Sequence, residues 1–180
     1  MKYSTSLSYF LPLLTATIVM SVFLGGCSAT LSAGATGVLS TIQQKTLNLA
    51  TKRSLDSAGI DAKFLGEKPY YLIFSDIGQA DIGKQHVCGT VRSEIRERGG
   101  RNVDNQQDSD CILECTIHVA GIDTRPGKIP LIVSWIDTRA EVDISVNKKC
   151  GQNIDTKRGS ESAKFNQVWI FGFGPSESLK

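Results

Sequence analysis

The stretch Cys111-Ile112-Leu113-Glu114-Cys115-Thr116-Ile117-His118-Val119 decides how the fold is read. Cys111, Leu113, Cys115, Ile117 and Val119 fall on one side of an extended chain, and Glu114, Thr116 and His118 fall on the other. Alternation with period two is the mark of a strand with one face buried and one face wet. Residues 139–147 repeat it, with Ala140, Val142, Ile144 and Val146 inward and Arg139, Glu141, Asp143 and Ser145 outward, so the two segments are predicted to form an antiparallel pair. Between them the sequence predicts a long connection, residues 121–130, followed by the apolar run 131–136.

Upstream, Pro69-Tyr70-Tyr71-Leu72-Ile73-Phe74 is apolar at every position, which predicts a strand covered on both faces or lying centrally in a sheet. Ser40 and Gln43 have the spacing of a capping box, so a helix is expected to start there, with a stripe of Leu39, Ile42, Thr46, Leu49 and Ala50 and a left-handed cap at Gly59. Asp81 can cap a second helix with the stripe Val87, Cys88, Val91 and Ile95, closed by Gly99 and Gly100. Its Arg92, Glu94, Arg96 and Arg98 read as solvated surface. Asn102 and Val103 suit a short edge strand. Downstream, residues 147–159 read as a loop containing Cys150, and residues 163–173 as the last strand. The order predicts an α+β fold: a two-layer sandwich of two main helices on a mainly antiparallel sheet.

The N-terminus carries a different signal. An apolar run, residues 10–24, leads into Leu24-Gly25-Gly26-Cys27. This resembles the lipobox of bacterial lipoproteins, and the resemblance implies a diacylglycerol on the Cys27 thiol, cleavage that leaves Cys27 as residue one, palmitate on the resulting tri-acylated terminus, and an outer-membrane lipoprotein facing the periplasm. The run is shorter than the ~20 apolar residues a spanning helix needs, and it contains Pro12, Thr15, Thr17 and Ser21. Residues 1–26 therefore read as a signal peptide, 27–38 as a small, uncharged tether, 39–175 as one domain and 176–180 as a disordered tail. The mature layout is also similar to bacterial lipoproteins of unknown function, and more distantly to the periplasmic α+β domains of secretion and curli-type assembly lipoproteins.

Charge adds little direction. With 20 basic and 18 acidic side chains the net charge is +2, which gives no electrostatic reason for a nucleic-acid partner. Four cysteines remain beyond Cys27: Cys88, Cys111, Cys115 and Cys150. Cys111 and Cys115 lie about 13 Å apart along one strand, too far for a bridge, so each pairs elsewhere or stays a thiol. Pairing of Cys88 with Cys111 or Cys115, and of Cys150 with the other, is open; so is the reading of Cys88, Cys111 and Cys115 as small buried apolar residues. A zinc site from His86, Cys88, Cys111, Cys115 and His118 is opposed by its spacing. The Asp104, Asn105, Asp108 and Asp110 turn lacks the glycine and glutamate of a calcium loop. No metal or cofactor is expected.

Two functional readings follow. In the first, the chain is a non-enzymatic lipoprotein that binds or positions another envelope component, an envelope protein being the expected partner, with Leu131, Ile132, Val133, Trp135 and Ile136 as contact residues beside Trp169, Phe171 and Phe173; by periodicity alone both segments read equally as core strands. In the second, Ser75 and Asp76 at a strand end and His86 in the next helix form an envelope enzyme or small-ligand site, although no nucleophile elbow surrounds Ser75.

Overall fold

The structure is a computed structural model, and it describes residues 39–75, 82–130, 132–171 and 173–180. Cys27, the tether, Asp76, Asp81 and Leu131 lie outside the described residues.

Helix α1 (Thr41–Ser57) starts as the sequence predicts. The Gln43 amide donates to Ser40 Oγ at 3.3 Å, and the Ser40 amide donates to Gln43 Oε1 at 2.9 Å. It ends in a left-handed Gly59 (φ 70°), and the Ile60 amide reaches back to the Leu55 carbonyl at 3.0 Å. A one-turn helix, α2 (Ala62–Leu65), is capped by Asp61 through the Phe64 amide at 2.8 Å. Strand β1 (Tyr70–Ser75) leads to α3 (Ile82–Glu97), whose Val87, Val91 and Ile95 are fully buried. Then follow β2 (Asn102–Val103), a 3-10 turn (Gln106–Asp108) and four strands: β3 (Cys111–Ile129), β4 (Val133–Cys150), β5 (Asn153–Ile170) and β6 (Phe173–Leu179).

The fold is α+β, and its sheet is mixed. The strand order is β2-β1-β3-β4-β5-β6, with β1 parallel to both β2 and β3 and every later neighbour antiparallel. The six strands curl into a half-barrel. The expected mainly antiparallel sheet overlooked the α3 crossover, which brings the chain back to the same end and lets β1 lie parallel to its neighbours. Tyr70 and Leu72 of β1 are buried beneath the helices, whereas Ile73 is 36% exposed, so β1 is not covered on both faces.

Several boundaries are corrected. The expected connection at 121–130 is the second half of β3, and residues 131–136 contribute most of their length to β4; the turn between them is short. The expected loop at 147–159 is the end of β4 and the start of β5, turning at Gly151 (φ 63°). The expected tail pairs as β6, with Ser176 opposite Val168 and Leu179 opposite Phe165. Polar and glycine-rich sequence reads as loop by itself, yet in an antiparallel ribbon the ladder satisfies the backbone whatever the side chains are.

Two faces also rotate. A bulge at His118, where the register slips between Ile117 and Val119, turns the chain over: Cys111, Leu113, Cys115 and Ile117 are buried, but Val119 is 39% exposed. In α1 the buried side is Thr46, Leu47, Ala50, Thr51, Ser54 and Leu55, and Leu49 is only partly covered. Hydroxyls face the sheet because each is satisfied: Thr46 Oγ1 donates to the Ile42 carbonyl, Thr51 Oγ1 to the Leu47 carbonyl and Ser54 Oγ to the Val142 carbonyl of β4, at 2.8, 2.8 and 2.7 Å. Small residues there let helix and sheet approach closely. The core runs from Leu47, Leu55 and Ile60 through Val87, Val91 and Ile95 to Leu113, Ile117, Val142, Ile144 and Val146.

Candidate functional site

Helix α1 covers only the first part of the long strands. Gln43 at its first turn donates to Thr124 Oγ1 of β3 at 3.4 Å, and Thr124 Oγ1 lies 3.2 Å from Thr138 Oγ1 of β4. Beyond that level β3 continues to Ile129, a further five residues or roughly 17 Å of strand, and β4 and β5 accompany it. The strands therefore end in two neighbouring turns, one between β3 and β4 and one between β5 and β6. They are joined directly: the Phe171 amide donates to the Ile132 carbonyl at 2.8 Å, and Ile132 in turn donates its amide to the Ile129 carbonyl at 3.2 Å.

This tip is apolar. Ile129 and Ile132 are each 48% exposed, Ile170 is 53%, Phe171 66% and Phe173 78%. Residues 126–136 and 167–176 hold one charged side chain, Lys128, and no carboxylate. A shallow groove of about 350 Å³ lies between the turns, lined by Lys128, Ile129, Ile132, Val133, Trp169 and Phe171 among others. Phe171 has φ 51°, and among the described residues it is the one non-glycine residue with positive φ. A bulky residue in that region is strained, and such strain concentrates at functional positions. Behind the turns Trp135 lies across Gly127, its register partner, so closely that a Cβ on Gly127 would overlap the indole.

The expected contact residues thus separate. Ile132 stands out at the turn, while Val133, Trp135 and Ile136 are half-buried in β4. Phe171 and Phe173, which the sequence offered as helpers, are the most exposed apolar side chains of the tip. Ile129 and Ile170 were missed. Their signal was the apolar residues flanking each turn, visible only once 121–130 is recognised as strand.

The second set of residues serves other contacts. Ser75 Oγ lies 2.7 Å from Thr116 Oγ1 across the β1–β3 pair. His86 Nε2 lies 2.8 Å from Asn48 Oδ1 on α1, and Thr90 Oγ1 donates to the same oxygen at 2.7 Å, so His86 belongs to a helix-to-helix clasp. Burial draws the His86 pKa below the usual imidazole value, opposed by a hydrogen bond with the Gln44 backbone.

Cys111 and Cys150 form a disulfide across the open end of the β3–β4 hairpin, opposite the tip. That excludes the pairing of Cys88 with Cys111. Cys115 is a buried thiol, and burial, with Cys88 nearby adding to it, pushes its pKa up to about 12. His118 is exposed on the far face and bonds Ser145 Oγ at 2.9 Å, away from Cys115. Among the described residues no cluster of three or more metal-ligating side chains forms, and no helix is long and apolar enough to cross a membrane.

The charged face of α3 is corrected in part, since Arg92 and Arg96 are exposed as expected. Glu94 and Arg98, expected in solvent, have side chains only 15% exposed. Arg98 donates to the Ile60 carbonyl at 2.7 Å and pairs with Asp56 at 2.8 Å and Glu94 at 3.3 Å, tying α3 to the end of α1.

The chain matches no protein-family model and no curated protein.

Proposed function

We propose that this is a lipid-anchored protein of the bacterial cell envelope, held at the outer membrane and facing the periplasm, that binds or positions another envelope component without catalysing a reaction. In finer description its domain is a two-layer sandwich in which α1 and α3 back one face of the sheet and leave the far end of the hairpins uncovered. The observation that carries the reading is the exposed apolar tip of Ile129, Ile132, Ile170, Phe171 and Phe173. Soluble proteins seldom leave contiguous apolar side chains in water unless something covers them. The Leu24-Gly25-Gly26-Cys27 sequence supports the anchor, and the separate structural bonds of Ser75 and His86 support a binding role over the enzyme reading.

The anchor is tested by replacing Cys27 with Ser and fractionating cells. Release of the variant from the membrane fraction is expected, and unchanged partition argues against lipidation. The contact role is tested by placing a photoactivatable phenylalanine at position 173 and irradiating intact envelopes. Covalent adducts should form there and not at a control position such as Asp108, on the 3-10 turn.

A further inference from the structure

We infer that the component met by the tip is a phospholipid bilayer, namely the membrane surface on which the chain is itself anchored; this rests on the reading of the tip as the contact surface. Four observations point to lipid. First, the tip has no carboxylate, so immersion buries no negative charge, and its one charge, Lys128, suits an anionic headgroup. The nearest acidic side chain on β4, Asp137, is set back from the turns and neutralised by Lys164 at 3.2 Å.

Second, the side chains are graded by depth. Isoleucine and phenylalanine stand at the turns, and Trp135 and Trp169 lie just behind them. Tryptophan behind aliphatic residues is the order in which side chains sit across a bilayer interface. Third, the two central strands of the tip, β4 and β5, are paired on both sides, so their backbone keeps its hydrogen bonds at a membrane surface, while the open edges of β3 and β6 hold the tip at interfacial depth, outside the hydrocarbon. Strain at Phe171 falls on a ring that stands exposed at the turn, where strained backbone is expected to serve contact.

Fourth, the chain begins on the same side. The N-terminus of α1 sits beside Thr124, five residues along β3 from the tip. The twelve residues from Cys27 to Leu39 can reach at most about 40 Å, which exceeds the ~17 Å from Thr124 to the turns. A lipid on Cys27 and the hairpin tip can therefore meet one surface together. Two weak attachments to one bilayer hold far better than one, and the second fixes the orientation of the domain. A protein partner fits less well: each side of a standard interface contributes ~800 Å² and about 20–30 residues, and the tip offers only two narrow turns.

The chain has two tryptophans, and both lie in the protruding strands, so it carries its own probe. The mature lipidated protein, extracted from membranes, is reconstituted with vesicles of phosphatidylethanolamine and phosphatidylglycerol, with and without brominated acyl chains. Quenching and a blue shift of the emission are expected with brominated lipid. The paired change Phe171→Ser and Phe173→Ser, at exposed positions, should remove the quenching while Cys27 keeps the chain on the vesicles, and Lys128→Gln should weaken it. Retention of the Cys111–Cys150 bridge and of the circular dichroism spectrum checks that the variants fold. Absence of quenching in the unaltered chain overturns the proposal. The crosslinker at position 173 separates this failure from that of the parent reading: adducts with lipid support both, adducts with a protein overturn the lipid and keep the contact role, and no adduct overturns both.

Discussion

Gly159 of β5 lies directly under the carbonyl of Ser54 in α1. A Cβ on Gly159 would overlap that oxygen and would stand 2.7 Å from Ser57 Oγ and 2.8 Å from the Ala58 amide nitrogen. Helix and strand thus meet backbone to backbone, and neither can retreat without opening the buried bond from Ser54 Oγ to the Val142 carbonyl. Gly159→Ala is expected to destabilise the domain by about 1–3 kcal/mol, because overpacking against backbone cannot be relieved by a rotamer change. The midpoint of urea unfolding measures it; an unchanged midpoint would remove Gly159 as the contact that seats α1.

The bridge between Cys111 and Cys150 closes a loop whose ends are 39 residues apart. On chain-entropy grounds it should contribute about 3–4 kcal/mol. Reductant, or Cys150→Ser, should lower the melting temperature together, with no further loss when both are applied. Peptide mapping without reductant should recover 111 joined to 150.

Cys115 should behave as an inert thiol. With its pKa pushed up to about 12 and its side chain buried, the thiolate is scarce at neutral pH and alkylating reagents have no access. Iodoacetamide is expected to leave Cys115 unmodified in the native protein and to label it in urea. Rapid native labelling would mean that the β1–β3 region opens far more readily than its packing implies.

Arg98 joins α3 to the end of α1 through the Ile60 carbonyl, Asp56 and Glu94. Arg98→Met keeps much of the aliphatic stem but removes the donor to the Ile60 carbonyl and to the largely covered Glu94 carboxylate, while the exposed Asp56 stays solvated. A loss of about 1–3 kcal/mol is expected, more than the ~0–1 of an exposed ion pair. Denaturant titration of the variant beside Lys52→Met, whose partner Glu94 lies 3.9 Å away, gives the comparison.

Stability should fall in acid partly through Asp143. The hydrogen bonds from Arg158, at 2.6 and 3.1 Å, hold the Asp143 carboxyl below the usual range, assisted by the Arg158 charge and opposed by partial burial. A carboxyl with a lowered folded pKa stabilises the fold fully above its ordinary value of ~4, and that contribution is lost as pH falls through the folded value. Asp143→Asn should therefore lower stability at pH 7 and flatten the acid limb of the stability curve. A parallel downward shift at every pH would place the effect elsewhere.

Local order was written into short segments of the chain: the Ser40–Gln43 capping box, the Gly59 cap, the Val87–Val91–Ile95 stripe and the apolar alternation at 111–117 and 140–146 all stand in the structure. Each depends on interactions within a few residues, or on a period that one segment displays alone. What the strands do beyond residue 118 was decided by tertiary structure. The His118 bulge inverted the faces of β3, the partner strand made ribbon of residues that read as loop, and the α3 crossover set the parallel pairing of β1. Burial of Arg98 depended on α1 lying opposite, and exposure of Phe171 and Phe173 on α1 starting only at the level of Thr124, short of the turns. No residue carries in its own neighbourhood the length of the helix that will cover it, so the composition of the tip was legible in the chain and its exposure was not.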